Sequence, residues 1–323
     1  MRLPGTRWWG WATVIAVIAT ALASCSSSSK TTTTNGVCAA KPGQTLAVLA
    51  DDKHLEASDN IIPIINTKVA KAPLTTALNS ITAALSQTAL IQLNVQTGVD
   101  KTDPATVASQ FVSSHNLGQG LSGGSGSITI AAQGFAENET LADIAADVLN
   151  KAGYNASAKV VGERELYEPA LESDQVQAVM DYAASLTTYL ATKVKSTEQP
   201  SSSIDTTVSV LKNLATPRGL TVLNAASATD ENAYAVTSAT AKAYGLKSLS
   251  DLASKCGGGI TLGGPANCPT RPECQIGLMS TYGLKIKSFD ALDEDGPLTR
   301  TALKSGKILL GVVFSSDSDA TPA

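Results

Sequence analysis

Beyond residue 127, hydrophobic positions follow a strand period and a helix period in turn. SITIAA, at residues 127–132, is a short apolar run, and the next segment repeats its apolar residues every three or four positions. That stripe consists of Leu141, Ile144, Ala145, Val148 and Leu149, and Gly153 ends it. The alternation continues to KILLGVVF, at residues 307–314. It predicts an α/β fold of βαβ units and mostly parallel sheets, which bind ligands at the carboxyl ends of their strands.

The segment before residue 118 has a different pattern. TLAVLA (45–50) is strand-like, IIPII (61–65) is a second apolar run, and two amphipathic helices follow at 73–87 and 103–118. In the second helix Asp103 is the predicted N-cap, with a proline at the first helical position. A segment with so few strands makes a poor independent sheet domain. We therefore expect it to complete another structure.

GQGLSGGSGS, at residues 118–127, separates the two patterns. Glycine and serine at this density predict a flexible coil. The simplest role for such a coil is to link two domains. The weakness of the preceding segment as an independent domain favours another role, in which the coil joins two ends of one domain.

The first residues are typical of an export signal. Arg2 and Arg7 precede the apolar run WWGWATVIAVIATALA, and LASC then places small residues before Cys25. This order resembles a bacterial lipobox, which implies a signal peptide over 1–24, diacylation of Cys25 and a polar tether over 25–35. A membrane-spanning helix is the alternative for the apolar run.

Composition narrows the function classes. The 323 residues carry 43% hydrophobic and 16% charged residues, which is typical of a globular chain. The net charge is −4 and no basic cluster occurs, so nucleic-acid binding is not expected. The sequence lacks a P-loop and a metal cluster, so we expect no enzyme activity and no cofactor. All three tryptophans lie before residue 12, which leaves the later Tyr and Phe residues as the informative aromatics.

Four cysteines follow Cys25: Cys38, Cys256, Cys268 and Cys274. An even number in an exported chain predicts two disulfides, and three pairings are possible. Metal binding is the weaker alternative, because no CxxC occurs and neither histidine has a ligand-like spacing to a cysteine.

Five motifs carry a resemblance to a known family. In chain order they are QGFAENE (133–139), QAVMDYAAS (177–185), DENAYAVT (230–237), LGGPANCPTRPECQIGL (262–278) and GVVFSSD (311–317). This series resembles the ProX-like substrate-binding proteins of ABC importers for glycine betaine, choline and related compatible solutes. The resemblance implies a type II periplasmic-binding-protein fold, in which two α/β lobes joined by two crossovers close on a ligand.

The order of the motifs departs from that family. The segment VLADDKHLEASDNIIPII (48–65) resembles the motif that normally follows GVVFSSD, and two helical segments then end a typical member. The resemblance therefore implies a circular permutation in which the glycine–serine segment joins the former ends. It places 36–58 and 229–323 in one lobe and 59–228 in the other. It also implies a Cys38–Cys256 disulfide across the split lobe and a Cys268–Cys274 disulfide beside the site.

The resemblance also implies a ligand site. A quaternary ammonium is recognised by aromatic faces, and a ligand carboxylate by arginine or backbone N–H groups. Tyr182, Tyr234 and Phe314 match aromatic positions, and Arg271 matches a carboxylate-binding arginine. The remaining implied contacts are Gln133, Ser185, Asn232 and Asp59. Taken singly, a tyrosine at a strand end is more often a packing residue.

Two positions depart from the aromatic cage. Asp59 stands where an aromatic residue is usual, and Phe314 stands where a tyrosine is usual. Asp59 could attract a cation directly, which favours choline-like ligands, or pair with Arg271, which reshapes the pocket.

The resulting hypothesis is a monomeric protein that is exported and lipid-anchored to the outer face of the bacterial cytoplasmic membrane. It delivers a small solute (glycine betaine, choline, carnitine or proline class) to the permease and ATPase subunits of an ABC importer. The alternative is a lipoprotein of the same fold whose degenerate pocket serves as a sensor or interaction module.

Overall fold

The computed structural model describes residues 36–293, 296–317 and 320–323. The signal, the tether and Cys25 lie outside these residues. No helix in the described ranges is long and apolar enough to cross a bilayer.

The described chain contains eleven strands and eleven α-helices. The strands are β1 (Leu46–Leu49), β2 (Ile61–Asn66), β3 (Ser127–Ala132), β4 (Asn155–Val160), β5 (Ala178–Tyr182), β6 (Leu220–Val222), β7 (Asn232–Thr237), β8 (Ile260–Pro265), β9 (Ile286–Leu292), β10 (Leu310–Phe314) and β11 (Ala320–Pro322). The helices are α1 (Ala72–Ala84), α2 (Gln87–Asn94), α3 (Pro104–Ser114), α4 (Ala136–Lys151), α5 (Arg164–Glu172), α6 (Ala183–Val194), α7 (Ile204–Ala215), α8 (Ser238–Tyr244), α9 (Leu249–Lys255), α10 (Gly277–Tyr282) and α11 (Pro297–Lys304).

The strands form two sheets, each the centre of an α/β lobe. The six-stranded sheet has the order β11-β1-β7-β10-β8-β9, and the five-stranded sheet has the order β4-β3-β5-β2-β6. The chain passes between them twice, through residues 50–60 after β1 and residues 223–231 after β6. These two crossovers run side by side, since Asn60 and Thr229 form an antiparallel bridge.

The sheets are mixed, with a small majority of parallel pairings. Among the described strands five pairings are parallel and four are antiparallel. Every antiparallel pairing involves β2 or β7, the strands into which the crossovers lead. A strand that enters directly from the other lobe lacks the helical crossover that makes a βαβ unit parallel.

The apolar run of β2 explains how the five-stranded lobe is filled. All six residues of this strand are buried, because β5 and β6 flank it and helices cover both faces. Ile61 and Ile65 face the core formed with α1, α3 and α4, whereas Ile62 and Ile64 face the core formed with α5, α6 and α7. Helix α3 begins as expected, since the Asp103 carboxylate accepts a hydrogen bond from the Thr106 amide.

The glycine–serine segment has an irregular conformation that contacts the five-stranded lobe. The Gly124 amide donates to the Ala152 carbonyl at 2.9 Å, and Leu121 packs on the core of the five-stranded lobe. A Cβ on Gly124 would lie 2.5 Å from the Tyr154 ring. Glycine is needed here because the side chain has no room. The composition indicated flexibility, but the same residues permit close packing of backbone against backbone.

Both expected disulfides are present. Cys38 is bonded to Cys256, which follows α9, and this bond ties the start of the described chain to the six-stranded lobe. Cys268 is bonded to Cys274 and closes the loop that carries Arg271.

Candidate functional site

A cleft of about 790 Å³ lies between the two sheets. Strand ends from both lobes and both crossovers line it, as the location rule for α/β sheets predicts. Seven of the eight expected ligand residues line this cleft: Asp59, Gln133, Tyr182, Ser185, Asn232, Arg271 and Phe314. The eighth, Tyr234, is only 1% exposed and is enclosed in the core of the six-stranded lobe.

Tyr182 is placed at the cleft because β5 ends and α6 begins there. Its hydroxyl donates a hydrogen bond of 2.8 Å to the Glu137 carboxylate, which fixes the ring. The Phe135 ring, 41% exposed, lies 6.3 Å from the Tyr182 ring at an interplanar angle of 25°. Phe135 lies within the QGFAENE motif, and the sequence alone does not indicate a role for it. The ring of Tyr182 therefore has a fixed position and an aromatic neighbour.

Asp59 anchors the start of α6. Its carboxylate accepts hydrogen bonds from the Ala184 amide at 2.7 Å, the Ser185 amide at 3.0 Å and the Ser185 hydroxyl at 2.6 Å. A carboxylate at a helix N-terminus is favoured by the exposed N–H groups and the helix dipole. Asp59 thus connects the first crossover to the five-stranded lobe, and its acceptor capacity is largely used inside the protein.

Tyr234 lies behind the cleft lining and contacts residues of that lining. Its hydroxyl donates to the Glu273 carbonyl at 2.5 Å and lies 3.3 Å from the Glu56 carboxylate. The Asn232 amide reaches the same carboxylate at 3.5 Å. The tyrosine expected to form a second wall of the cage therefore positions Glu56, a cleft residue that sequence reasoning missed.

Three carboxyl groups of the crossovers are protonated more readily than usual. Burial raises the pKa of Glu56 to about 8, that of Glu231 to about 7 and that of Asp59 to about 6. Hydrogen bonds from Ser185 oppose the rise in the pKa of Asp59, and the positive charge of Arg271 opposes that in Glu56. A cation entering the cleft would favour the ionised form of each.

The other expected residues come from separate elements. Arg271 is half-buried in the disulfide-closed loop, and Phe314 ends β10 opposite Asn232 of β7. Gln133 follows β3, and its backbone amide donates to the Asn138 side chain at 2.8 Å. These residues bring one cationic, one aromatic and two amide groups to the same space.

Arg164 is a second arginine in the cleft lining that sequence reasoning missed. Its guanidinium donates to the fully buried Asp181 carboxylate at 2.8 Å and to the Tyr167 hydroxyl at 3.1 Å. The MDY sequence of β5 indicates that such a partner exists, because an aspartate in a buried strand requires a cationic or hydrogen-bonding partner. Its partner could not be identified without the fold.

The lining of the cleft therefore combines aromatic, carboxyl, guanidinium and amide groups. Among the described residues, no group of three or more His, Cys, Asp or Glu side chains could hold a metal ion.

Comparisons with known proteins agree with this architecture. The family described as the substrate binding domain of ABC-type glycine betaine transport systems matches residues 31–114 and 126–321. No curated protein sequence matches the chain.

Two solved structures are among those similar to it. A crystal structure titled glycine betaine/carnitine/choline ABC transporter is 16% identical over 58% of this chain and 68% of its own, with a TM-score of 0.42. Apo YehZ from Escherichia coli is 18% identical over 58% of this chain and 69% of its own, with a TM-score of 0.49.

The family match covers most of the sequence, on both sides of the glycine–serine segment. Two α/β lobes joined by two crossovers around one cleft are the type II periplasmic-binding-protein fold. The chain belongs to the family of substrate-binding domains of ABC-type glycine betaine transport systems.

Proposed function

We propose that this protein is the lipid-anchored, extracytoplasmic receptor of an ABC importer and that its cleft captures a quaternary-amine or related compatible solute. The observation that carries this proposal is the cleft itself. Both lobes and both crossovers supply its lining, so a bound solute contacts every part that moves when the lobes close. The solute is released unchanged to a membrane permease driven by an ATPase.

The chemistry of the lining supports a positively charged head group. Tyr182 and Phe314 belong to the lining, and the negative quadrupole of an aromatic ring attracts a cation to its face. Glu56, Asp59 and Glu231 add carboxyl groups from the crossovers. Arg271 supplies the group that would hold a carboxylate of a zwitterion such as glycine betaine.

Calorimetric titration with glycine betaine, choline, carnitine and proline tests this function. We expect sub-millimolar binding of at least one of them, lost in Tyr182→Ala because the ring face is removed. Tyr182→Phe keeps the ring and is expected to keep most of the affinity. Tyr189→Ala, which removes a tyrosine of α6 outside the cleft lining, is the control and should bind as the unaltered protein does.

Failure of all four solutes to bind would contradict a transport receptor. That outcome favours the alternative function, a sensor or interaction module with a degenerate pocket. The enclosed position of Tyr234 is the feature that supports this alternative, because it removes one ring from the cage that the resemblance implies.

The lipid anchor at Cys25 is proposed from the lipobox alone. Labelled palmitate should be incorporated when the full chain is expressed in a bacterium with lipoprotein processing. Cys25→Ser should abolish incorporation and release the protein from the membrane fraction. Equal incorporation by both chains would exclude Cys25 as the lipidated residue.

We also propose that the chain is circularly permuted, with lobes formed by 36–58 plus 229–323 and by 59–228. The family match leaves out residues 115–125, within and just before the glycine–serine segment. Strand β1 pairs with β11 near the other end of the chain, whereas β2 belongs to the other sheet. A rotated chain that begins at Ser127 and joins Asp317 to Leu46 should fold and keep its affinity. Independent folding of 36–117 would contradict the permutation.

A further inference from the structure

Glu56 is a buried carboxyl group whose hydrogen-bonding capacity is poorly used. The residue is 9% exposed and lines the cleft. Its contacts to the Tyr234 hydroxyl and the Asn232 amide measure 3.3 and 3.5 Å, and the tyrosine has a closer acceptor in the Glu273 carbonyl. Distances at this limit indicate weak hydrogen bonds.

Glu231 lies in the other crossover and has the same property. It lines the cleft, and its side chain accepts from the Asp59 amide at 3.4 Å. Asp59 differs, since its three hydrogen bonds to α6 measure 2.6 to 3.0 Å. Glu56 and Glu231 therefore retain acceptor capacity toward a ligand, whereas Asp59 is committed to the helix.

The aromatic part of the lining is small. In the part of the chain that the structure describes, Tyr182 and Phe314 are the tyrosine and phenylalanine residues that line the cleft. A trimethylammonium group has no N–H and depends on aromatic faces around it. A buried carboxylate gains most from a charged N–H donor, which gives a short, strong hydrogen bond.

We propose, on the basis of the proposed function, that the preferred solute carries its positive charge on a nitrogen with N–H groups, which donate to Glu56 and Glu231. The ligand class is thus a protonated amine or a guanidinium compound. A fully N-methylated solute fits the same cleft but leaves both carboxyl groups without a donor, which costs affinity.

The charged neighbours of the two carboxyl groups agree with an entering cation. Arg271 faces Glu56 and lowers its pKa, but burial outweighs this effect. Asp59 and Asp51 face Glu231 and raise its pKa further. Both glutamates are therefore protonated more than usual in the empty cleft, and a bound cation displaces their protons.

The test is a calorimetric series on one scaffold: ethanolamine, its N-methyl and N,N-dimethyl derivatives, and choline. Near neutral pH all four are cations, and they differ in the number of N–H donors. We expect affinity to fall along the series, with choline at least tenfold weaker than ethanolamine. Titration in buffers of different ionisation enthalpy should show proton release on binding.

Glu56→Gln should lower the affinity for ethanolamine at least tenfold and reduce the proton release on binding. It should also remove most of the preference for ethanolamine over choline. Glu165→Gln is the matched control, because Glu165 is exposed on α5 and lies outside the cleft lining. It should reproduce the unaltered affinities and proton release.

Three results would overturn the inference. If choline or glycine betaine binds and ethanolamine does not, the preference for N–H donors is wrong while the proposed transport function stands. If ethanolamine binds equally to Glu56→Gln, the assigned contact is wrong. If neither this series nor glycine betaine, carnitine and proline binds, the proposed function fails as well.

Discussion

Glu56 should lower the stability of the empty protein at neutral pH, and Glu56→Gln should restore it. Burial raises the pKa of this carboxyl group from 4.5 to about 8. In the unfolded chain the group ionises above its ordinary pKa, whereas in the folded protein it stays protonated until the higher value. Its contribution to stability is therefore full below pH 4.5 and is lost progressively as pH rises toward 8.

The size of the effect follows from the same two values. Between the ordinary pKa and neutral pH the folded protein loses about 1.4 kcal/mol per pH unit relative to the unfolded chain, or roughly 3 kcal/mol in all. Glutamine has nearly the same shape and does not ionise. We expect Glu56→Gln to be more stable than the unaltered protein by roughly 2–3 kcal/mol near neutral pH and by little at the ordinary pKa.

Urea unfolding followed by far-ultraviolet circular dichroism measures this difference at both pH values. At each pH the free energy of unfolding of Glu56→Gln is compared with that of the unaltered protein. The other titrating groups are common to both proteins and cancel in this difference. Glu165→Gln is the control and should change stability little at either pH. An equal difference between Glu56→Gln and the unaltered protein at both pH values would refute the reasoning.

Three further predictions concern stability. Asp59→Ala removes the carboxylate that anchors α6 and should cost about 1–2 kcal/mol in urea unfolding, with faster hydrogen exchange at the start of that helix; unchanged exchange contradicts the anchoring role. Gly124→Ala introduces a Cβ that has no room and should lower the free energy of unfolding by about 1–3 kcal/mol, whereas Ser122→Ala, at an exposed position of the same segment, should lower it little. Equal melting temperatures of the two variants would contradict close packing at Gly124. Replacing both Cys38 and Cys256 by alanine should cost about 2–5 kcal/mol in thermal unfolding, and unchanged melting would mean that the disulfide does not constrain the unfolded chain.

Most elements were predictable because their hydrophobic period is clear. Four were missed: α2, α6, β9 and β11. Strand β9 is an edge strand with half-buried and exposed residues, so its sequence lacks a continuous apolar run. Helix α6 begins directly after β5 at Tyr182, without an intervening turn signal, so the pattern did not separate the two.

Some residues of the candidate site were predictable from the sequence and others were not. Tyr182, Ser185 and Asp59 could be located from motifs, because Tyr182 ends β5, Ser185 follows it by three residues and Asp59 lies two residues before the apolar run of β2. Glu56 and Glu231 could not be paired, since their proximity depends on two crossovers that are far apart in sequence and adjacent in space. Tyr234 was expected at the surface of the cleft, but the strand directs its ring into the core.

The disulfide between Cys38 and Cys256 determines where mechanical load enters the protein. Tension on the N-terminal side, such as a membrane attachment at Cys25 would apply, reaches Cys38 before it reaches β1. The covalent bond carries that tension to the end of α9, so β1 is not pulled away from β7 and the sheet does not unzip from its first strand. A pull on the N-terminal side would therefore load the chain at the disulfide and α9 while β1 keeps its place in the sheet.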